Sequence, residues 1–287
     1  MPIPNDAGTA PGIRAEKGGT LFFALPGVPK EMRHMLDVSV LPELRSWGGE
    51  QAIVARRLRC FGAGESTIAE MLGETMARGR NPLVNCTAHT GIITLEVVAT
   101  AMNRGQAEEM AAGEAVALRK TLGSLVYGVG EQTLAEVVGE ALARRRQTIA
   151  VAESCTGGLL AAAITDVPGA SRYFTCGWIT YSNEAKHREL GVPEALIARH
   201  GAVSEKVASA MAQGARRRAS ADVAVSITGI AGPAGGTEHK PVGLVYIAVS
   251  HPGGTDTSRH VFSRDRGSVR TRAVQTALDR VRLRLEI

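Results

Sequence analysis

A serine at the junction of a strand and a helix is the residue of this chain best placed to do chemistry. The apolar run Thr148–Ala152 is typical of a buried strand, Ser154 follows it, and Gly157 and Gly158 precede a helix of small residues. Backbone N–H groups at a helix N-terminus are unpaired, and the helix dipole is positive there. Such a position can bind a phosphate, stabilise an oxyanion or present a nucleophile, although an N-cap is the more common role of a serine.

A serine becomes a nucleophile only with a base in reach, and the candidate base is a lysine. Lys186 ends the segment Tyr181–Lys186, which follows a predicted strand at Phe174–Thr180. A lysine can act as a base when burial or neighbouring cations hold it neutral, since its ordinary pKa is about 10.4. Taken alone, Lys186 is better explained as an exposed helix lysine. Tyr181 is equally well explained as an aromatic residue at a strand end, although its phenol could hydrogen-bond the lysine or a substrate.

A glycine-rich segment follows a third predicted strand. Thr228–Gly236 comes after the strand Val223–Thr228, and ligands of α/β sheets bind beyond the carboxyl ends of the strands. Its glycines allow the backbone to approach a ligand closely, but the spacing is neither a Walker motif nor a dinucleotide fingerprint. Arg266, just before the last predicted helix, could hold an anion or lie at the surface.

The elements that must position these residues alternate between strands and helices from residue 131 onward, which predicts a layered α/β domain. A turn at His251–Gly254 predicts a hairpin and therefore a mixed sheet. The predicted strands are Thr148–Ala152, Phe174–Thr180, Val223–Thr228, Val242–Ser250 and Ser258–Ser263. The predicted helices are Gly157–Thr165, Asn183–Leu190, Ser204–Ala219 with Ser204 as N-cap, and Gly267–Leu285.

Two smaller regions precede this domain. Residues 1–50 contain one apolar strand, Thr20–Leu25, and a helix from near Pro29 to about Leu44, too little to bury a core. Residues 51–128 are predicted to form a small α+β module with antiparallel pairing. Its predicted elements are the strands Ile53–Cys60, Pro82–Thr87 and Gly91–Thr100, a helix from the N-cap Ser66 to about Met76, and a helix at Gln106–Leu122.

Composition narrows the class of protein. The chain has 287 residues, of which 21% are charged and 44% hydrophobic, and it has no apolar run long enough to span a membrane and no signal peptide, so we expect a soluble cytoplasmic protein. The four scattered cysteines predict neither a disulfide framework nor a zinc site. The net charge of +5 is compatible with a small anionic substrate. The arginine runs 144–146 and 216–218 end predicted helices, where they complement the helix dipole, so nucleic-acid binding is not supported.

Several ordered motifs together resemble the C-terminal domain of the CinA family over about residues 131–287. They are Ala152–Gly158, Tyr181–Lys186, His200–Ser204, Thr228–Pro233 and Lys240–Gly243. The resemblance implies a three-layer α/β/α domain with a mixed sheet. It also implies an amidohydrolase that converts nicotinamide mononucleotide and water to nicotinate mononucleotide and ammonia. A small-molecule nucleotide substrate and a homo-oligomer are expected, with no cofactor, metal or membrane partner.

The resemblance also assigns roles to residues of this chain. Ser154 is expected to be the nucleophile, Lys186 the base and Tyr181 a supporting catalytic residue. The expected substrate-binding residues are Cys155, Thr156, Gly157, Gly158, Thr228, Gly229, Gly232 and Arg266. Whether the N–H groups of residues 156–158 hold the oxyanion or the phosphate is left open.

The first two regions resemble CinA proteins as well. Thr9–Gly12 and Leu25–Met32 are similar to the end of a molybdopterin-binding-like domain, so residues 1–50 are expected to be its remnant, without its pyrophosphatase activity. Gly62–Ser66 is similar to a KH-like module, expected at 51–128, but it lacks the G-x-x-G loop that RNA binding needs. The amidohydrolase domain is expected at 129–287.

Two departures from the family pattern bear on affinity: Ala234 stands where the family usually has Asp, and Arg264 where it usually has Gly. An alternative function is therefore a catalytically weak nucleotide-binding or competence-related accessory protein. A truncated or mis-started gene product, with an unpaired sheet edge in its first region, is a further alternative.

Overall fold

The computed structural model describes residues 1–47 and 51–287. They form two compact units, Met1–Val54 with Thr100–Glu109, and Ala55–Ala99 with Met110–Ile287. The expected boundary at residue 50 falls on residues 48–50 and lies outside the described residues, so the division into 1–50, 51–128 and 129–287 stays a prediction.

The first region contains a three-stranded antiparallel sheet, where the sequence predicted one strand. Its strands are β1 (Pro2–Ile3), β2 (Gly12–Lys17) and β3 (Thr20–Ala24). Strand β2 was not predicted, because apolar and charged residues alternate along it and it contains no apolar run. Helix α1 (Pro29–Met35) begins at a proline as predicted, and a π-helical turn joins it to α2 (Leu41–Trp47). Ile3, Met35 and Val40 form the small buried core.

The next region forms a four-stranded sheet in the order β5-β6-β4-β7. The elements are β4 (Ala52–Cys60), α3 (Glu65–Leu72), β5 (Leu83–His89), β6 (Ile92–Ala101), α4 (Arg104–Leu122) and β7 (Val126–Val129). The predicted N-cap Ser66 is wrong: Gly64 is the N-cap, and Ser66 lies in the first turn of α3. Strand β7 was missed because four residues are too few to show a period.

The C-terminal region is built on a five-stranded mixed sheet in the order β12-β11-β10-β8-β9. Its strands are β8 (Ile149–Glu153), β9 (Phe174–Ile179), β10 (Val223–Gly229), β11 (Leu244–His251) and β12 (Gly254–Val261). Its helices are α5 (Leu134–Arg145), α6 (Leu159–Thr165), α7 (Asn183–Leu190), α8 (Glu194–His200), α9 (Glu205–Ala219) and α10 (Arg266–Arg284). Strand β8 pairs in parallel with β9 and β10, whereas β11 and β12 are antiparallel. The predicted mixed sheet and its hairpin at His251–Gly254 are confirmed.

Alternate residues of β8 enter cores on opposite faces of this sheet, as the pleat requires. Ile149 and Val151 pack in a core with residues of α5, α6 and α10. Ala150 and Ala152 pack in a second core with residues of α7, α8 and α9. The three-layer α/β/α fold is therefore confirmed, and β8 is buried along its whole length.

Helix boundaries in this domain follow their capping residues. The Ser204 hydroxyl accepts a hydrogen bond from the Val207 N–H, so the predicted N-cap of α9 is confirmed. Asp265 caps α10 in the same way. Helix α8 was not predicted, because it follows α7 after a short break at Gly191–Pro193. Among the described residues, no helix combines the length and the apolar character needed to cross a membrane.

Candidate active site

Ser154 and Lys186 meet at the carboxyl ends of β8 and β9. Ser154 follows the last residue of β8, and its N–H donates to the Ile227 carbonyl of β10 at 2.9 Å. Lys186 lies in the second turn of α7, whose N-cap is Ser182. The Lys186 Nζ is 3.1 Å from the Ser154 Oγ. The sequence predicted this pair, and the structure brings the two atoms within hydrogen-bonding distance.

The surroundings of Lys186 favour its neutral form. The side chain is 1% exposed, and this burial lowers its pKa. Its Nζ lies 2.8 Å from the Thr180 carbonyl and 3.3 Å from the Tyr181 carbonyl, and carbonyls only accept hydrogen bonds. A neutral amine that donates both N–H groups to these carbonyls leaves its lone pair for the Ser154 hydroxyl. The geometry is that of a general base facing its nucleophile.

Glu153 occupies the N-terminus of α6, which overturns part of the predicted site. Its carboxylate is fully buried and accepts hydrogen bonds from the N–H groups of Gly158, Leu160 and Ala161 at 2.8–3.0 Å. A carboxylate is stabilised there by the unpaired N–H groups and the helix dipole. The helix N-terminus is therefore already filled by a negative charge and is not available to a phosphate. Glu153 was not among the predicted site residues, although an acid directly before the serine was the available signal.

Of the three expected N–H donors, at residues 156–158, two already have acceptors among the described residues. The Gly157 N–H donates to the Ser154 carbonyl at 3.1 Å, and the Gly158 N–H donates to Glu153, so the prediction that these two bind substrate through their N–H groups is wrong. In the described part of the chain, the Thr156 N–H has no backbone acceptor, and the Cys155 N–H contacts its own thiol. Both N–H groups adjoin Ser154, at the position where an oxyanion would form if this serine attacked a carbonyl carbon.

The backbone at Thr156 is held by an arginine that was not among the predicted site residues. Arg270 of α10 donates through Nη2 to the Thr156 carbonyl at 2.7 Å. The Thr156 side chain is fully buried, and its hydroxyl has no partner among the described residues. Burial raises the pKa of the Cys155 thiol to about 11, so the thiol stays protonated at neutral pH and is a poor nucleophile.

Tyr181 and Arg266 lie at the rim of the site. The Tyr181 side chain is 62% exposed, and its phenol accepts from Arg266 Nη2 at 3.4 Å, while only its carbonyl faces Lys186. Arg266 Nη1 donates to the Gly232 carbonyl at 2.9 Å. These contacts link the segment Tyr181–Lys186, the glycine-rich segment Thr228–Gly236 and the start of α10.

Thr228 and Gly229, expected to bind substrate, serve loop packing in this structure. The Thr228 hydroxyl donates to the Ala202 carbonyl at 2.9 Å. A Cβ on Gly229 would lie 2.7 Å from the Leu244 carbonyl oxygen, so the position needs glycine for close packing against β11. Lys240 donates to the carbonyls of His200 and Val203, at 2.8 Å each, and fixes the same loops.

No group of three or more His, Cys, Asp or Glu side chains with metal-binding geometry occurs within residues 1–47 and 51–287.

The fold and the site together define the class: a three-layer α/β domain with a buried Ser–Lys pair at the carboxyl ends of parallel strands. The family model of the CinA C-terminal domain matches residues 131–285, and that of the CinA KH domain matches residues 55–128. The chain belongs to the CinA family.

The sequences of relatives are similar to this one along nearly the whole chain. A putative competence-damage inducible protein of Symbiobacterium thermophilum is 44% identical over 292 residues, which cover 98% of this chain and 68% of the relative. A CinA-like protein of Frankia casuarinae is 45% identical over 286 residues, covering 98% of this chain and 66% of the relative.

Solved structures match about half of this chain. A competence/damage inducible protein from Agrobacterium tumefaciens is 39% identical with a TM-score of 0.51, covering 54% of this chain and 94% of that one. A competence damage-inducible protein from Klebsiella pneumoniae is 38% identical with a TM-score of 0.52, covering 53% and 95%.

Proposed function

We propose that this chain hydrolyses the carboxamide of nicotinamide mononucleotide to nicotinate mononucleotide and ammonia, by a Ser–Lys mechanism. The observation that carries the proposal is the buried Lys186 Nζ, 3.1 Å from the Ser154 Oγ, with two carbonyls to receive its N–H groups. The nucleotide substrate is the expectation drawn from the family resemblance.

In the first half-reaction, the Ser154 Oγ attacks the carboxamide carbon, and the hydroxyl proton passes to the Lys186 Nζ. The carbonyl oxygen becomes an oxyanion, which the N–H groups of Cys155 and Thr156 are placed to receive. Collapse of this intermediate breaks the C–N bond. Lys186 returns the proton to the departing nitrogen, and ammonia leaves.

In the second half-reaction, a water attacks the ester formed on Ser154. Lys186 takes a proton from the water and gives it to the Ser154 Oγ as the ester bond breaks. The acid product leaves, and the hydroxyl and the neutral amine are restored. The buried surroundings of Lys186 support both steps, because a base must be neutral at the start of each.

The substrate phosphate needs a cation, and the rim supplies one. Arg266 is exposed beside the opening, already oriented by Gly232 and Tyr181. We infer that Arg266 contacts the phosphate, since the N-terminus of α6 is filled by Glu153. Tyr181 would then act by orienting Arg266 through its phenol and Lys186 through its carbonyl.

Ammonia release from nicotinamide mononucleotide by the purified chain tests the proposal. Wild type should release ammonia, and Ser154→Ala should lose the activity. Ser209→Ala, on the surface helix α9, is the matched control and should keep it. Binding of the nucleotide without ammonia release by wild type would favour the alternative of a nucleotide-binding accessory protein.

A further inference from the structure

A large cleft is lined by one face of α10, and neither Ser154 nor Lys186 is among its lining residues. It has a volume of about 1010 Å³. One wall is formed by the Phe61–Glu65 loop and the turn between β5 and β6, and the other by the end of β12 and one face of α10. All of these residues belong to the same compact unit.

Three arginines line this cleft without a counter-ion. They are Arg264, Arg272 and Arg280. Among the ion pairs of the described residues, none involves any of these three guanidinium groups. Burial lowers the pKa of Arg272, and the neighbouring charge of Arg264 lowers it further. The repulsion between two like charges at a partly buried surface decreases when an anion binds between them.

The carboxylates of the cleft do not neutralise these arginines. Asp279 is paired with Arg282 at 2.7 Å, and Asp265 caps the N-terminus of α10. Glu65 is the remaining acid on the lining. Three free guanidinium groups therefore face one free carboxylate, an excess of positive charge.

Arg272 is built into the wall of the cleft. Its guanidinium lies 5.4 Å from the centroid of the Phe61 ring, a cation–π arrangement. Its other side lies against Gly91, where a Cβ would overlap the guanidinium. At the end of β12, on the same wall as α10, the rings of His260 and Phe262 are stacked with centroids 5.5 Å apart. The cleft thus combines fixed positive charge with a flat aromatic surface.

We propose that this cleft is a second ligand site, which binds a nucleoside di- or triphosphate with its phosphates on Arg264, Arg272 and Arg280. Guanidinium groups match phosphate oxygens in pairs, and the volume suits a ligand of nucleotide size. The His260–Phe262 pair offers a stacking surface for the base. The site is separate from the Ser–Lys pair and does not depend on the proposed hydrolysis.

Titration calorimetry with ATP, without divalent metal and at low salt, tests this proposal on the full chain. ATP should bind once per chain, more tightly than pyrophosphate, and adenosine should bind far more weakly. Saturating nicotinamide mononucleotide should leave ATP binding unchanged. Displacement of ATP by that nucleotide would place ATP at the Ser–Lys site and overturn the proposal.

Arg264→Gly separates ligand binding from folding. Arg264 has φ of 103°, a backbone conformation that glycine adopts most easily, so the variant should melt at the same temperature as wild type or higher. It should nevertheless bind ATP about tenfold more weakly, because one charge-assisted contact is lost. Arg280→Gln should weaken binding similarly, whereas Arg217→Gln, with the same charge change on α9, should not. Wild-type affinity in both Arg264→Gly and Arg280→Gln, or equal binding of adenosine and ATP, would refute the site.

Discussion

Replacing Lys186 with methionine removes the amine that faces Ser154 and keeps a side chain of similar length. The variant cannot accept the serine proton, so hydrolysis of nicotinamide mononucleotide should fall about 10²–10⁴-fold, which corresponds to about 3–5 kcal/mol in the activation barrier. The residual rate should come from the N–H groups of Cys155 and Thr156, which the substitution leaves in place.

The pH profile distinguishes loss of a base from loss of structure. Burial lowers the pKa of Lys186 below its ordinary value of 10.5, so wild-type activity should rise with pH as the amine loses its proton and should level off before that value. Lys186→Met should lack this rise. The assay is ammonia release across a pH series at saturating substrate.

The free energy of unfolding should also change with pH, because the titration of Lys186 differs between the folded and unfolded states. The folded state disfavours the charged amine, so wild type gains stability as pH rises from the folded-state pKa of Lys186 toward 10.5, its unfolded value. The methionine variant lacks that gain and leaves the Thr180 and Tyr181 carbonyls without this donor, at about 1 kcal/mol each. Its deficit in unfolding free energy should therefore grow with pH.

Lys240→Met is the matched control. Lys240 also donates to two carbonyls, at 2.8 Å each, but the structure gives it no contact with a hydroxyl nucleophile. This variant should keep the rise of activity with pH. Lys186 is not the base if Lys186→Met retains activity within about tenfold of wild type, or keeps the rise of activity with pH that Lys240→Met shows.

The remaining predictions concern the packing and charges around the pair. Glu153→Gln should lower the unfolding free energy by about 2 kcal/mol and reduce kcat, because the charged acceptor at the N-terminus of α6 is lost; an unchanged denaturation midpoint would contradict its capping role. Gly214→Ala should destabilise the chain and lower activity, since a Cβ there would lie 2.0 Å from the Leu190 carbonyl oxygen and displace α7. Gly113→Ala, in an exposed part of α4 with open space around it, should instead stabilise by about 0.5–1 kcal/mol, and thermal melts compare the two. Cys155→Ala should keep most activity, and iodoacetamide at pH 8 should not inactivate wild type, because the thiol pKa is about 11; rapid inactivation that Cys155→Ala abolishes would argue otherwise.

The features that the sequence predicted well are those set by local pattern. The strand–helix alternation, the hairpin at His251–Gly254 and the cap at Ser204 each depend on a few adjacent residues. Ser154 and Lys186 were candidates because both follow strands of one sheet, whose carboxyl ends meet, but the pair became the expectation only through the resemblance to the CinA family.

The errors arose where distant contacts decide the structure. Glu153 reaches across a turn to cap α6, and no local pattern distinguishes this from a strand-end acid facing a ligand. The Thr228 hydroxyl donates to the Ala202 carbonyl, a partner 26 residues away that no local pattern indicates, and the expected role of Thr228 in substrate binding stays a prediction. In the first region, β2 was missed because a strand with charged alternate residues needs its neighbours to be recognised.

The central claim is that Ser154 carries the acyl group, and identifying the acylated residue tests it most directly. Wild type is mixed with nicotinamide mononucleotide, quenched in acid, digested and analysed by mass spectrometry. We predict an ester of nicotinate mononucleotide on the peptide containing Ser154, absent from Ser154→Ala, which should also release no ammonia. Ammonia release at the wild-type rate by Ser154→Ala, or an acyl group on another residue, would contradict the account.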